Sequence, residues 1–209
     1  MRKLPAIILV LLAAGGPATA GEGPPSRILV EFGRATPLGD LADDFVATTL
    51  GFGAEPGLEA GFRWRLHLSD RFSLAPAFHF TDYGNFSGTD AELGEYRLEC
   101  STYQYTLEAM LHTADPAAVL RPFVAVAAGL YRNRSEGFTK TFERSFDESV
   151  NTFGGSLRAG LAVAEIELSV VYHLDRFSTW RFFRTGAEQA YVWDALVVRA
   201  AWAIPFGDG

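Results

Sequence analysis

The chain has 209 residues, with 25 acidic against 18 basic side chains, a formal net charge of −7 and a single cysteine, Cys100. The acidic balance argues against nucleic acid as a partner, and one cysteine excludes an intrachain disulfide framework. Beyond its amino-terminal leader, no stretch approaches the roughly eighteen consecutive apolar residues of a helical span, so any entry into a membrane must use a closed β-barrel.

The leader comes first. Arg2 and Lys3 precede the apolar run Ala6 to Ala14, and Ala18-Thr19-Ala20 supplies small residues before Gly21. This is the build of a secretory signal peptide over residues 1–20, cleaved after Ala20. The remainder, residues 21–209, is long enough for one domain with a substantial core.

Strand patterns then follow in series. Arg27 to Arg34 places Ile28, Val30 and Phe32 on one face and Glu31 and Gly33 on the other. Leu38 to Glu55 reads as a long connection. Gly57 to Tyr83 carries the strongest signal, a complete hairpin. Its first strand sets Leu58, Ala60, Phe62, Trp64, Leu66 and Leu68 against Glu59, Gly61, Arg63, Arg65 and His67. After Ser69-Asp70-Arg71 the second sets Phe72, Leu74, Pro76, Phe78 and Phe80 against Ser73, Ala75, Ala77, His79 and Thr81. Period two sustained over two long runs is a strand signature, because a helix would spread the same residues around its circumference.

Gly84 to Gly94 reads as a loop rich in turn formers. Arg97 to His112 sets Tyr103, Tyr105, Leu107, Ala109 and Leu111 against Thr102, Gln104, Thr106, Glu108 and His112, with Met110 breaking the polar set. A turn at Ala114–Ala117 leads to a strand over Arg121 to Arg132. There Val124, Val126 and Leu130 compete with Phe123 and Tyr131, and the faces stay unassigned. Asn133 to Val150 reads as a long charged loop. Phe153 to Val163 opposes Phe153, Leu157, Leu161 and Val163 to Ser156, Arg158 and Gly160. A short turn near Ala164 precedes Ile166 to Leu174, whose polar set of Glu165, Glu167, Ser169, His173 and Asp175 is interrupted by Val171. Arg176 to Gln189 forms the last long loop, and Ala195 to Phe206 the last strand.

Long and short connections therefore alternate around eight strands. The pattern predicts an all-β fold, an eight-stranded antiparallel up-and-down transmembrane β-barrel. Short turns and both termini would face the periplasm, and long loops the exterior. A soluble barrel would show the same period in the opposite phase. Two features favour lipid outside: the polar face is rich in small residues, as a narrow interior requires, and after Arg2 and Lys3 the only lysine is Lys140. Arginine suits buried, multiply bonded pairs, whereas a water-exposed strand face normally uses lysine as well.

The leader, the strand plan, the Arg121–Tyr131 segment Arg-Pro-Phe-Val-Ala-Val-Ala-Ala-Gly-Leu-Tyr and the aromatic end of the last strand resemble the small outer-membrane β-barrel proteins of the opacity-protein, porin-like kind. Gly207-Asp208-Gly209 after Phe206 depart from that pattern, in which the chain stops at the aromatic residue. The resemblance implies the outer membrane of a Gram-negative bacterium. It also implies contact with outer-membrane lipid and lipopolysaccharide, and insertion by the barrel-assembly machinery. Activity is a separate matter, since function in such folds lives in grafted sites. The oligomeric state stays open, with a monomer the simplest reading.

With the polar register inward, the interior would hold Glu31, Glu59, Glu108, Glu165, Glu167 and Asp175 with Arg63, Arg65, Arg158, Arg199 and His173. Eight strands enclose a lumen just wide enough for side chains, so these charges should pair into a polar network without a wide diffusion pore. A structural or surface-interaction role follows, with a narrow channel for small solutes as an alternative. His67, His79, His112 and His173 lie on different strands without paired ligands at a diagnostic spacing, so packing is expected and neither metal nor cofactor is implied. An enzymatic alternative is acyl hydrolysis on lipid A. Lipid A deacylases, also eight-stranded barrels, carry His-x-Ser beside the last loop, but here His173-Leu174-Asp175 has an acid in the serine position. Ser178 stands roughly 16 Å further along an extended strand and on the other face. An enzyme is therefore not expected. The last loop also clusters Trp180, Arg181, Phe182, Phe183 and Arg184, a candidate extracellular binding loop or an interfacial aromatic girdle.

Overall fold

Every expected strand is present, and together they form one sheet that closes on itself. The computed structural model describes residues 26–42, 45–46, 49–50, 53–84, 86–90, 94–113, 118–139, 144–175, 178–181 and 188–205; the leader over residues 1–20 lies outside them. The barrel strands are β1 (Arg27–Pro37), β2 (Glu55–His67), β3 (Phe72–Gly84), β4 (Gly94–His112), β5 (Leu120–Thr139), β6 (Arg144–Val163), β7 (Ile166–Leu174) and β8 (Ala195–Pro205). Each pairs antiparallel with its sequence neighbours. β8 returns to pair with β1 from Arg27↔Pro205 to Pro37↔Ala195. The fold is an eight-stranded up-and-down barrel, and closure leaves the wall without unpaired edges.

The two registers separate as the alternation requires. Leu58, Phe62, Leu107, Leu157, Val198 and Trp202 are exposed on the outer wall, while the residues between them are buried. An aromatic band crosses β2, β3 and β4 on that wall: Phe62 and Phe78 lie 5.7 Å apart, Phe78 and Tyr105 5.1 Å, and Phe80 and Tyr103 4.8 Å. Each is a directly opposed cross-strand pair, the arrangement that stabilises neighbouring strands.

On β5, Val124, Val126 and Leu130 point outward, and Phe123, Ala125 and Tyr131 are buried within. Glycines on β6 make room for the two large rings. A Cβ on Gly160 would lie 2.6 Å from the Phe123 ring, and one on Gly154 would lie 2.8 Å from that of Tyr131. An aromatic laid over a neighbouring strand's glycine fills space that the glycine leaves empty.

The three connections at one end are short. The Leu68–Arg71 turn is closed by Leu68 N–H to Phe72 O at 3.0 Å, and the hydroxyl of Ser69 accepts from the Phe72 N–H at 3.1 Å. Ala164 and Glu165 alone join β6 to β7, with Ala164 at φ 50°. At the other end the connections expected as loops contain paired backbone. The expected loop Asn133 to Val150 is mostly strand, since β5 and β6 stay paired to Thr139↔Arg144. Phe86–Asp90 pairs back onto the start of β4, and Ser178–Arg181 pairs with Glu188–Tyr191. Gly39–Leu41 is a short 3-10 turn, followed by the pair Phe45–Val46 and Thr49–Leu50. The physical reason is that these segments extend beyond the apolar belt. Polar and charged residues interrupt the apolar positions there, so the hydrophobic alternation disappears although the hydrogen-bonded ladder continues.

Candidate functional site: the barrel interior

The inward register builds three layers. At the middle, β1 contributes Glu31, β2 Glu59, Arg63 and Arg65, β4 Glu108, β6 Arg158, β7 Glu167 and β8 Arg199. All eight are at most 4% exposed, four glutamates against four arginines. Arg63 is the hub. It reaches Glu31 at 2.9 Å and Glu167 at 2.7 Å, and it also pairs with Glu108. Arg158 approaches Glu167 at 2.8 Å, Glu31 at 3.3 Å and Glu108 at 3.4 Å. Arg65 holds the second oxygen of Glu167 at 2.5 Å, and Arg199 holds Glu59 at 2.6 Å. Arg158–Glu167 and Arg63–Glu31 bridge neighbouring strands. Arg63–Glu167, Arg63–Glu108 and Arg158–Glu31 join strands that do not pair with each other, so these cross the lumen and tie separate walls together.

Arginine suits this layer because its planar fork donates to several carboxylates at once. The network also recruits neutral groups. Thr81 donates to Glu59 at 3.2 Å, His79 lies 2.5 Å from Glu31, and Ser169 accepts from Arg158 Nε at 3.1 Å. The Arg158 guanidinium sits 4.9 Å from the centre of the Phe123 ring, a cation–π contact that strengthens when desolvated.

Toward the long-loop end the interior turns apolar. Ala35, Leu41, Ala54, Tyr83, Cys100, Val171, Trp193, Ala195 and Val197 form one buried cluster. A polar chain runs along it: Trp193 Nε1 donates to Thr102 at 3.0 Å, Thr102 donates to Asn133 at 2.9 Å, and Asn133 donates to Asp175. Asp175 therefore belongs to this upper layer and not to the arginine layer. Toward the short-turn end, Met110, Phe123, Ala125 and Ala162 form a second apolar group, and Leu29, Ala201 and Ala203 a third. The two residues that interrupt the polar alternation, Met110 and Val171, are thus inward-facing members of these apolar layers.

Of the eleven residues expected to form the interior network, Glu165 stands apart. It occupies the turn after β6 at the rim, half-exposed, and pairs with Arg27 at 2.7 Å. Its place in the alternating pattern suggested the lumen, but Glu165 is the second residue of a two-residue turn, and β7 begins only at Ile166. Arg27, Phe123, Tyr131 and Trp193 are interior or rim residues that the pattern did not single out. Arg27 opens its strand, and the rings on β5 compete with equally apolar outward neighbours.

The histidines divide between two levels. His79 joins the arginine layer. His173, 3% exposed, lies 3.4 Å from Glu59, 3.4 Å from the Tyr131 hydroxyl and 3.5 Å from Arg199. His67 and His112 lie at the short-turn mouth. Among the described residues no group of three or more His, Cys, Asp or Glu side chains could hold a metal ion. Of the candidate binding loop, Trp180 and Arg181 lie on a short strand whose backbone pairs with Gln189 and Glu188. Phe182, Phe183 and Arg184 lie outside the described residues.

No protein-family model matches the chain, and no curated protein matches it. Several solved structures do. Neisserial surface protein A shares 10% identity over 85% of this chain and 96% of its own, with a TM-score of 0.54. Ail, the attachment invasion locus protein of Yersinia pestis, shares 10% over 87% of this chain and 99% of its own, at 0.49. The N-terminal β-barrel domain of Pseudomonas aeruginosa OprF shares 15% over 87% and 99%, at 0.45. The first of these likenesses establishes a shared fold and nothing finer.

Proposed function

We propose that this chain, which has the fold of the small eight-stranded outer-membrane β-barrels, resides in the outer membrane of a Gram-negative bacterium as a barrel with a filled lumen. Its role is structural or directed at the cell surface, and it is not a wide diffusion pore. The observation that carries this reading is the contrast between wall and interior. Exposed leucine, valine, phenylalanine and tryptophan cover the outside, while four arginines and four glutamates are buried inside. Water could not solvate that interior cheaply, nor would an aqueous exterior favour that wall.

The belt has the right height. Outward positions on β5 are apolar from Leu120 to Leu130 and become charged at Arg132 and Arg134. Ten strand steps cover roughly 33 Å, which projects to about 25 Å at the usual barrel tilt of about 40° and matches the apolar band of outer-membrane barrels. Lipid and lipopolysaccharide are the surroundings this wall fits, and the barrel-assembly machinery is the partner that would insert it. Acyl hydrolysis gains no support, because the ring nitrogens of His173 face Tyr131, Glu59 and Arg199 inside the barrel.

Planar-bilayer recording of purified protein tests the filled lumen. The expected record is silent or shows small, infrequent steps. Large, stable conductance persisting at high salt would show an open lumen and sink the proposal.

A further inference from the structure

Below the arginine layer, at the end with the short connections, the interior opens into a cavity of about 520 Å³. That volume falls within the roughly 300–1,000 Å³ of small-molecule sites. Arg27, Arg65, Arg121, His67 and His112 line it together with the acids Asp70, Glu165 and Glu167. The acids are mostly spoken for: Arg27 holds Glu165 at 2.7 Å, and Glu167 takes Arg63, Arg65 and Arg158 at 2.7, 2.5 and 2.8 Å. Asp70 sits exposed in its turn.

Several donors at the mouth remain open. Among the described residues, the buried Nε atoms of Arg27, Arg65 and Arg121 have no hydrogen-bond partner. His112 is 2% exposed, yet among the described residues both of its ring nitrogens are unfilled, and its ring lies edge-on to that of Phe123 at 5.9 Å. Buried polar atoms without partners are uncommon and costly, and here several gather around one opening. A guanidinium can only donate, while a neutral imidazole offers one N–H and one acceptor nitrogen. The complement is a group with several acceptor oxygens and one hydroxyl. Hydrogen phosphate has that composition, and arginine matches its geometry.

We propose that this mouth is an oxyanion site that receives a phosphate group, either free or carried by a lipid headgroup. The site is defined by the folded barrel alone and goes beyond the reading of the lumen as filled.

The test uses the full barrel, folded in a phosphate-free non-ionic detergent, with its fold checked by heat-dependent gel migration. Inorganic phosphate and glycerol phosphate are titrated separately against chloride of matched ionic strength, and the histidine ring resonances are followed by NMR. Saturable shifts of His112 and His67, with His79 and His173 unmoved and chloride without effect, are expected. Whichever phosphate saturates at the lower concentration identifies the source. Arg121→Gln, which breaks no ion pair among the described residues, should weaken binding about tenfold or more while heat-dependent migration persists. His112→Phe should do the same. An absence of saturable shifts with either phosphate in a barrel that still migrates heat-dependently overturns the site. Equal binding by the wild type and both variants overturns it too.

Discussion

Arg63 shows at residue scale how the interior is held. It is fully buried and serves three glutamates from three other strands, Glu31, Glu108 and Glu167. Removing one member of a buried pair leaves its partners charged in a poorly solvating space, which costs about 3–5 kcal/mol. Arg63→Met is therefore expected to lower unfolding stability by about that much, read from urea midpoints in detergent. Adding Glu108→Gln should recover part of the loss, because it removes one of the stranded charges. Equal stability of Arg63→Met and wild type would show that the pairs contribute nothing.

Cys100 makes a second case at the same scale. It packs against the apolar layer at the long-loop end, with its sulfur 3.9 Å from the Ser135 hydroxyl. Its strand has by then passed the apolar belt, as the exposed Arg97–Glu99 ion pair on the outer face marks. Burial pushes the thiol up to about 12, against a smaller opposing effect of the Ser135 hydrogen bond. The thiolate is the reactive form, so maleimide at neutral pH should leave the folded barrel unlabelled and label the heat-denatured chain completely, as read by mass spectrometry. Prompt labelling of the folded form would contradict this packing.

At the scale of elements, the hairpins differ in how their turns are made. Ala164 lies at φ 50°, in the left-handed region where a Cβ costs about 1–2 kcal/mol and glycine costs little. Ala164→Gly is expected to stabilise the β6–β7 hairpin by up to about 1 kcal/mol, after the extra freedom glycine gives the unfolded chain. A urea midpoint below that of the wild type would mean the turn is not strained. The β5–β6 hairpin shows the reverse situation, in which pairing outlasts any apolar pattern. Arg134 grips Asp147 through Nε at 2.8 Å and Nη2 at 2.7 Å, across strands that leave the belt behind.

Closure is a property of the whole molecule. Eight strands with every ladder satisfied, laced across the lumen by ion pairs, should resist dodecyl sulfate until heated. Unheated protein is expected to migrate differently from boiled protein on gels and to fractionate with outer membranes. A soluble periplasmic product without a heat-dependent shift would overturn the location proposed above. The three layers give the molecule a polarity: apolar packing around Trp193 lies at the long-loop end, and the cavity with His112 opens at the other.

The alternation of residues such as Leu58, Phe62 and Trp64 against Glu59, Arg63 and Arg65 was sufficient by itself to determine the strands, their faces outside β5 and the up-and-down plan, because strand periodicity is local and each face meets one environment. Parity also put Glu31, Glu59, Arg63, Arg65, Glu108, Arg158, Glu167 and Arg199 on one register, and these residues are buried. Three matters waited for the closed barrel. The faces of β5 depended on Gly154 and Gly160 of the adjacent strand, which leave room for Tyr131 and Phe123. Strand ends beyond the belt depended on hydrogen bonds that no hydrophobic pattern reports. The partners of each charge depended on which walls face each other across the lumen, and that set Asp175 in the upper layer, while the turn after β6 set Glu165 on the rim. With both elsewhere, the six acids and four arginines read along the strands become four and four in the middle layer. Parity along a strand is a local property, but charge pairing across a lumen is decided by closure.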